Sequence, residues 1–92
     1  MTDLVEAARG WLRIGTRSRD DEIRQTIQAC LIDLHNGGVA RAPEDDPVIQ
    51  QAIKLYLKAQ FGYDAEAERF AESYEFLKGS LALSGEYNGT SG

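Results

Sequence analysis

Side chains able to carry out chemistry are few in this chain of 92 residues, which holds one cysteine and one histidine. Thiol nucleophiles need a nearby base, yet Cys30 falls on an apolar helical stripe beside Leu31, the place of a structural thiol. A zinc or iron site needs several Cys, His or carboxylate ligands, and no CxxC or HExxH spacing occurs. His35 falls in the last turn of a helical pattern, where a cation complements the dipole and a side chain can cap carbonyls.

Carboxylates are the next place to look. Glu66, Glu68, Glu72 and Glu75 offer material for paired acid–base work. At helical spacing they fall largely on one hydrated face, with Glu66–Arg69 and Glu68–Glu72 as surface neighbours. Glu44-Asp45-Asp46 reads as a loop ending in a helix cap and needs no cation to explain it. There is no Gly-rich phosphate loop and no Ser-His-Asp set. The expectation is a protein without catalysis, metal or cofactor.

Size and charge narrow the class. Ten basic against fifteen acidic residues leave a net charge of −5, which opposes general binding to a phosphate backbone. Residues 1–24 are neutral overall, and residues 60–92 carry six acids against two bases. Arg9, Arg13, Arg17 and Arg19 form a run without an intervening acid, and Arg9 and Arg13 share a helix face by i, i+4 spacing. They are the residues expected to meet an acidic partner surface, or DNA passing close by. One domain over residues 1–87 is expected, with 88–92 as a flexible tail. The N-terminus has no secretory pattern, and no stretch approaches the ~20 apolar residues of a membrane span.

Four helical patterns carry these residues, so the fold class is all-α, a small bundle. The first runs from about Asp3 to Arg13, with Thr2 as cap, Leu4, Ala8 and Trp11 on one face, and Gly15 permitting the exit. The second is capped by Ser18 or Asp20 and runs to about His35. Its stripe is Ile23, Ile27, Cys30, Leu31 and Leu34, and it stops at Asn36-Gly37-Gly38. Residues 37–45 read as a polar loop. Asp46-Pro47 starts the third helix, cap followed by proline at the first helical position, and it ends near Phe61-Gly62. Its apolar residues spread over roughly 240° of the wheel, which puts it at the centre. The fourth, capped by Asp64, runs from about Ala65 to Leu83 with Phe70, Tyr74, Leu77 and Leu81 as its main stripe.

Some apolar residues point the wrong way for a monomer. Ala65, Phe76 and Leu83 lie roughly opposite the main stripe of the fourth helix, and Ile32 opposite that of the second. Exposed aliphatic and aromatic pairs mark interaction surfaces, so these positions are expected to meet other subunits.

The text from Asp46-Pro47-Val48-Ile49-Gln50-Gln51-Ala52-Ile53-Lys54-Leu55-Tyr56 through Lys58-Ala59-Gln60-Phe61-Gly62-Tyr63-Asp64 has a familiar pattern. It continues with Ala67-Glu68-Arg69-Phe70, Ser73-Tyr74-Glu75-Phe76-Leu77-Lys78 and Leu81-Ala82-Leu83-Ser84-Gly85-Glu86-Tyr87. Together with Leu12-Arg13-Ile14 and Asp20-Asp21-Glu22-Ile23, it resembles the small head–tail connector (adaptor) proteins of long-tailed phages and prophages, often labelled DNA-packaging proteins. The resemblance implies a helical protein that forms a ring of about 12–13 copies beneath the portal. Such a ring extends the DNA channel and docks head-completion or tail proteins. The implied partners are self, the portal protein and those proteins, with no sequence-specific nucleic acid and no membrane. The implied place is the virion's head–tail junction, reached by assembly in the host cytoplasm. On this reading Ile32, Phe76, Leu83 and Tyr87 are subunit or portal contacts, Arg9 and Arg13 meet an acidic partner or the channel wall, and Leu83–Tyr87 with the tail orders on binding. The alternative is a small regulatory or partner-binding helical module. A DNA-binding regulator ranks lower, because the second helix sets Arg24 against Asp20, Asp21, Glu22 and Asp33.

Overall fold

Four helices form where the periodicity places them. The computed structural model describes residues 4–62 and 65–89. It contains α1 (Leu4–Leu12), α2 (Asp20–Asn36), α3 (Pro47–Phe61) and α4 (Ala65–Leu83). There is no strand among the described residues. The caps assigned to Thr2 and Asp64 lie outside the described residues.

α3 is central, as its wide apolar arc requires. It packs against α1, α2 and α4, and Ile49, Ala52, Ile53 and Leu57 are fully buried. α1 contributes Leu4, Val5 and Ala8, α2 contributes Ile23, Ile27, Cys30 and Leu34, and α4 contributes Tyr74 and Leu81. Trp11, Leu12, Leu31, Leu55, Tyr56 and Leu77 pack around this core as partly buried residues.

The start of α3 follows its sequence signal closely. The Asp46 carboxylate accepts from the backbone N–H groups of Val48 at 2.7 Å and Ile49 at 3.3 Å, with Pro47 in the first turn. These donors have no partner within the helix, so the side chain satisfies them. The Tyr87 hydroxyl donates to the other oxygen of Asp46 at 2.9 Å. Asp46→Ala is therefore expected to cost about 1–2 kcal/mol, read as a lower urea midpoint. Asp46→Asn, which keeps an accepting oxygen for the cap, should cost less.

α1 leaves by a different residue from the one expected. Gly15 does not take a left-handed conformation; Arg13 does, at φ 58°. Ile14 N–H donates to Arg9 C=O at 2.9 Å and Arg13 N–H to Gly10 C=O at 3.3 Å. That pair of bonds is a Schellman closure with Arg13 in the position that usually belongs to glycine. A side chain there costs about 1–2 kcal/mol. Arg13 is exposed, so Arg13→Gly loses no packing and is expected to stabilise the fold by about 1 kcal/mol, checked by thermal or urea unfolding. Arg13 consequently leaves the helix and does not share a face with Arg9.

The same motif at the end of α2 explains a second departure. Gly38, at φ 102°, donates to His35 C=O at 3.1 Å, and Val39 N–H donates to Leu34 C=O at 2.9 Å. This closure aims Val39 back at Leu34, and Val39 is 1% exposed. The segment read as a polar loop thus supplies a core residue. The C-terminal segment then lies along this loop. Arg41 N–H donates to Tyr87 C=O at 2.9 Å, and Asn88 N–H to Ser84 C=O at 2.9 Å. These bonds set Ser84–Asn88 against the loop. Thr90–Gly92, the rest of the tail, lies outside the described residues.

Candidate interaction surface

The largest exposed apolar side chains are the ones set opposite the core stripes. Phe76 is 79% exposed, Leu83 87% and Ile32 62%, joined by Val48 at 40%. Ala65 is exposed as well. Along α4, Glu72, Phe76, Gly79 and Leu83 recur at i, i+4, i+7 and i+11, one continuous outer stripe about 16 Å long. Ile32 stands on the outer face of a different helix, α2. The outward apolar residues therefore stand on two different helices of a molecule measuring 44 × 33 × 18 Å.

Tyr87 belongs elsewhere. Its ring packs partly buried against the core margin and its hydroxyl is engaged by Asp46. Tyr87 thus fastens the C-terminal segment to the cap of α3. The engagement pushes the Tyr87 hydroxyl above its ordinary pKa and holds the Asp46 carboxyl below the usual range.

The two arginines differ in state. Arg9 Nε lies 3.0 Å from Asp20 Oδ1, and both side chains are largely shielded. These two atoms are buried without an aligned hydrogen bond, so the contact acts as a charge pair joining the end of α1 to the start of α2. Each residue also complements the dipole of its own helix end. Arg13 is exposed at the mouth of an open groove of about 550 Å³. Trp11, Phe61 and Phe70 give this groove its aromatic lining, and Arg13, Arg19 and Lys58 its positive charge. The Arg19 guanidinium sits 4.6 Å from the Phe61 ring centre, and the Lys58 ammonium 5.2 Å from that of Phe70. Attraction between cation and ring face holds both pairs. Sequence reading assigned Arg19 to the basic run and Phe61 and Phe70 to apolar stripes. Their meeting depends on how the end of α3 crosses the start of α4, which local spacing does not encode.

The titratable groups inside the molecule form a structural cluster. The Tyr74 hydroxyl donates to Asp33 Oδ2 at 2.7 Å, and Lys78 Nζ donates to the same oxygen at 2.9 Å. Cys30 Sγ lies 3.9 Å from the Tyr74 oxygen, and Tyr56 meets Tyr74 edge-on with ring centres 5.0 Å apart. Burial works to raise the Asp33 carboxyl, but the two donors outweigh it and hold it below the usual range. Burial and then Asp33 push the Tyr74 hydroxyl up. Burial pushes the Cys30 thiol up to about 12, away from the thiolate form that nucleophiles need. This network fastens α2 to α4 and was missed from sequence, because Asp33 and Lys78 are 45 residues apart.

Elsewhere the carboxylates stay outside. Glu66, Glu68, Glu72 and Glu75 are exposed, and Glu75 pairs with Lys78 at 3.0 Å. No group of three or more Cys, His, Asp or Glu able to hold a metal occurs among the described residues. Nor is any helix among them long and apolar enough to cross a membrane.

A small helical protein whose buried titratable groups fasten its helices together, and which leaves Ile32, Phe76 and Leu83 exposed, is of the class that works by binding other proteins. Residues 7–88 match the family described as phage connector protein, and the chain belongs to that family. It is a bacteriophage head–tail connector, a structural component of the virion. The comparisons with curated proteins and with solved structures give no match.

Proposed function

We propose that the chain assembles as a ring of about 12–13 copies under the portal, where it extends the DNA channel and docks head-completion or tail proteins without catalysis or cofactor. The observation that carries this reading, beyond family membership, is the placing of exposed apolar residues on two helices. Ile32 stands on α2, and Phe76 and Leu83 stand on α4. Two separate apolar patches give each copy two contact surfaces, which suit head-to-tail contacts that close into rings. The net charge of −5 supports passage of DNA without adhesion to the wall. Assembly takes place in the host cytoplasm, before the head joins the tail.

The test is complementation of a phage in which the gene is deleted. DNA-filled heads without tails are expected, and addition of the purified protein should restore joining and infectivity. Infectious particles formed at normal yield without the protein would overturn the proposal.

A further inference from the structure

The groove and the stripe are complementary, and one chain cannot bring its own pair together. Phe70 lines the groove, and Phe76 stands six residues further along the same helix. That spacing places Phe76 about 9 Å along the axis and about 120° around it. A rigid helix holds the two apart, so the groove of one copy is open only to the stripe of another. The charges match as well. The groove is lined by Arg13, Arg19, Lys58 and Glu66, and Arg19 is also held by Glu22 at 3.2 Å, which leaves the lining net positive. The stripe carries Arg69 and Glu72 in line with Phe76 and is flanked by Glu68, a net negative charge.

Gly79 adds an independent observation. Glycine inside an exposed helix costs about 1 kcal/mol against alanine. At Gly79 an added Cβ would meet nothing within 4 Å in the chain itself. Intramolecular packing therefore gives no reason for glycine midway between Phe76 and Leu83. Close approach of another backbone or ring does.

We infer that the α4 stripe of one copy docks into the basic aromatic groove of the next, with Phe76 entering among Trp11, Phe61 and Phe70 and Gly79 permitting the approach. This rests on the reading of the chain as a self-assembling connector, and it names the two surfaces that meet. The contact is head-to-tail, and the angle between groove and stripe on α4 sets the turn from one subunit to the next.

Trp11 is the only tryptophan and lies in the groove, so its emission reports occupancy directly. Light scattering and Trp11 emission are measured together over a wide concentration range of the full chain. Assembly is expected to shift the emission to the blue as the ring of Trp11 leaves water. Phe76→Ser/Leu83→Ser should stay folded, keep the emission of the free groove at every concentration, and lose at least tenfold in association. Arg13→Glu/Lys58→Glu should lose association equally, and the two variants mixed should form a one-to-one pair and nothing larger. Gly79→Ala should raise the melting temperature while weakening association.

Three outcomes would overturn the inference: assembly without change at Trp11, a mixture that stays monomeric while the native chain assembles, or a native chain monomeric throughout. Emission that answers to added single-stranded DNA and not to protein concentration would also overturn it, assigning the groove to nucleic acid. A protein that fails here but still restores joining to deleted-gene heads leaves the connector proposal standing and removes only this contact.

Discussion

Tyr74→Ala is expected to lower stability by about 3–5 kcal/mol, a large share of the total for a domain of this size. Tyr74 is 3% exposed, meets Tyr56 edge-on and reaches across to Asp33 on α2. Truncation removes the ring, leaves a cavity between α3 and α4, and cuts one of the two donors that hold Asp33. Tyr74→Phe separates these effects. It keeps the ring and loses only the hydroxyl, so about 1–2 kcal/mol is expected. Urea titrations of the two variants measure the difference, with unchanged slopes if the unfolded states are alike. A cost below 1 kcal/mol for Tyr74→Ala would mean that α4 is held by contacts other than this one.

Stability is also expected to fall steeply in alkali, beginning with Cys30. Burial lifts that thiol from an ordinary 9.0 to about 12. Above pH 9 the unfolded chain gives up a proton that the folded chain keeps, so the folded state loses ground as pH rises towards 12. One such group contributes about 1.4 kcal/mol per pH unit, or about 2 kcal/mol between pH ~9 and ~10.5. Tyr74, also raised by burial, adds to the slope above its ordinary value of 10.0.

Lys78 works in the same direction at still higher pH. Burial lowers it, the bonds to Asp33 and Glu75 raise it further, and the net is upward. Its contribution is complete below the ordinary lysine range and is lost as pH rises through the folded value. Asp33 has the opposite sign: its depressed carboxyl contributes above about pH 4, and that part is lost as acid protonates it. Unfolding measured at pH 7, 9, 10 and 11 should therefore descend, and in Cys30→Ala the descent should begin only near pH 10. Coincident profiles for the two proteins would show that the thiol is not shielded as assigned.

Much of the fold was legible because it is governed by neighbours in sequence. The i, i+3, i+4 spacing of apolar residues in α2 and the Asp46-Pro47 start of α3 are local instructions, and both elements form where those instructions put them. The breadth of the apolar arc on α3 announced its central place for the same reason. The exposed positions Ile32, Phe76 and Leu83 were legible too, since a residue opposite a core stripe must face outwards. The exit of α1 was not. Glycine at position 15 looked like the left-handed residue, but the last turn closes through Arg13, two residues earlier. Tyr87 was named a subunit or portal contact through the resemblance, and its bond to Asp46 became visible only in the structure, because the two residues are 41 apart in sequence.

What the sequence by itself determined is the set of helices, their inward faces and the residues left outside, together with the family through its aromatic and polar pattern. The helices, their inward faces and the outward residues follow from periodicity, capping and composition within about twenty residues, whereas the family rested on a resemblance running through nearly the whole chain. What only the tertiary structure decided is which distant side chains meet. Asp33 finds Tyr74 and Lys78, Val39 turns into the core, and Trp11, Phe61 and Phe70 gather with three cations into one groove. These juxtapositions depend on how the helices cross, which is settled by packing of the whole core and not by any local stretch.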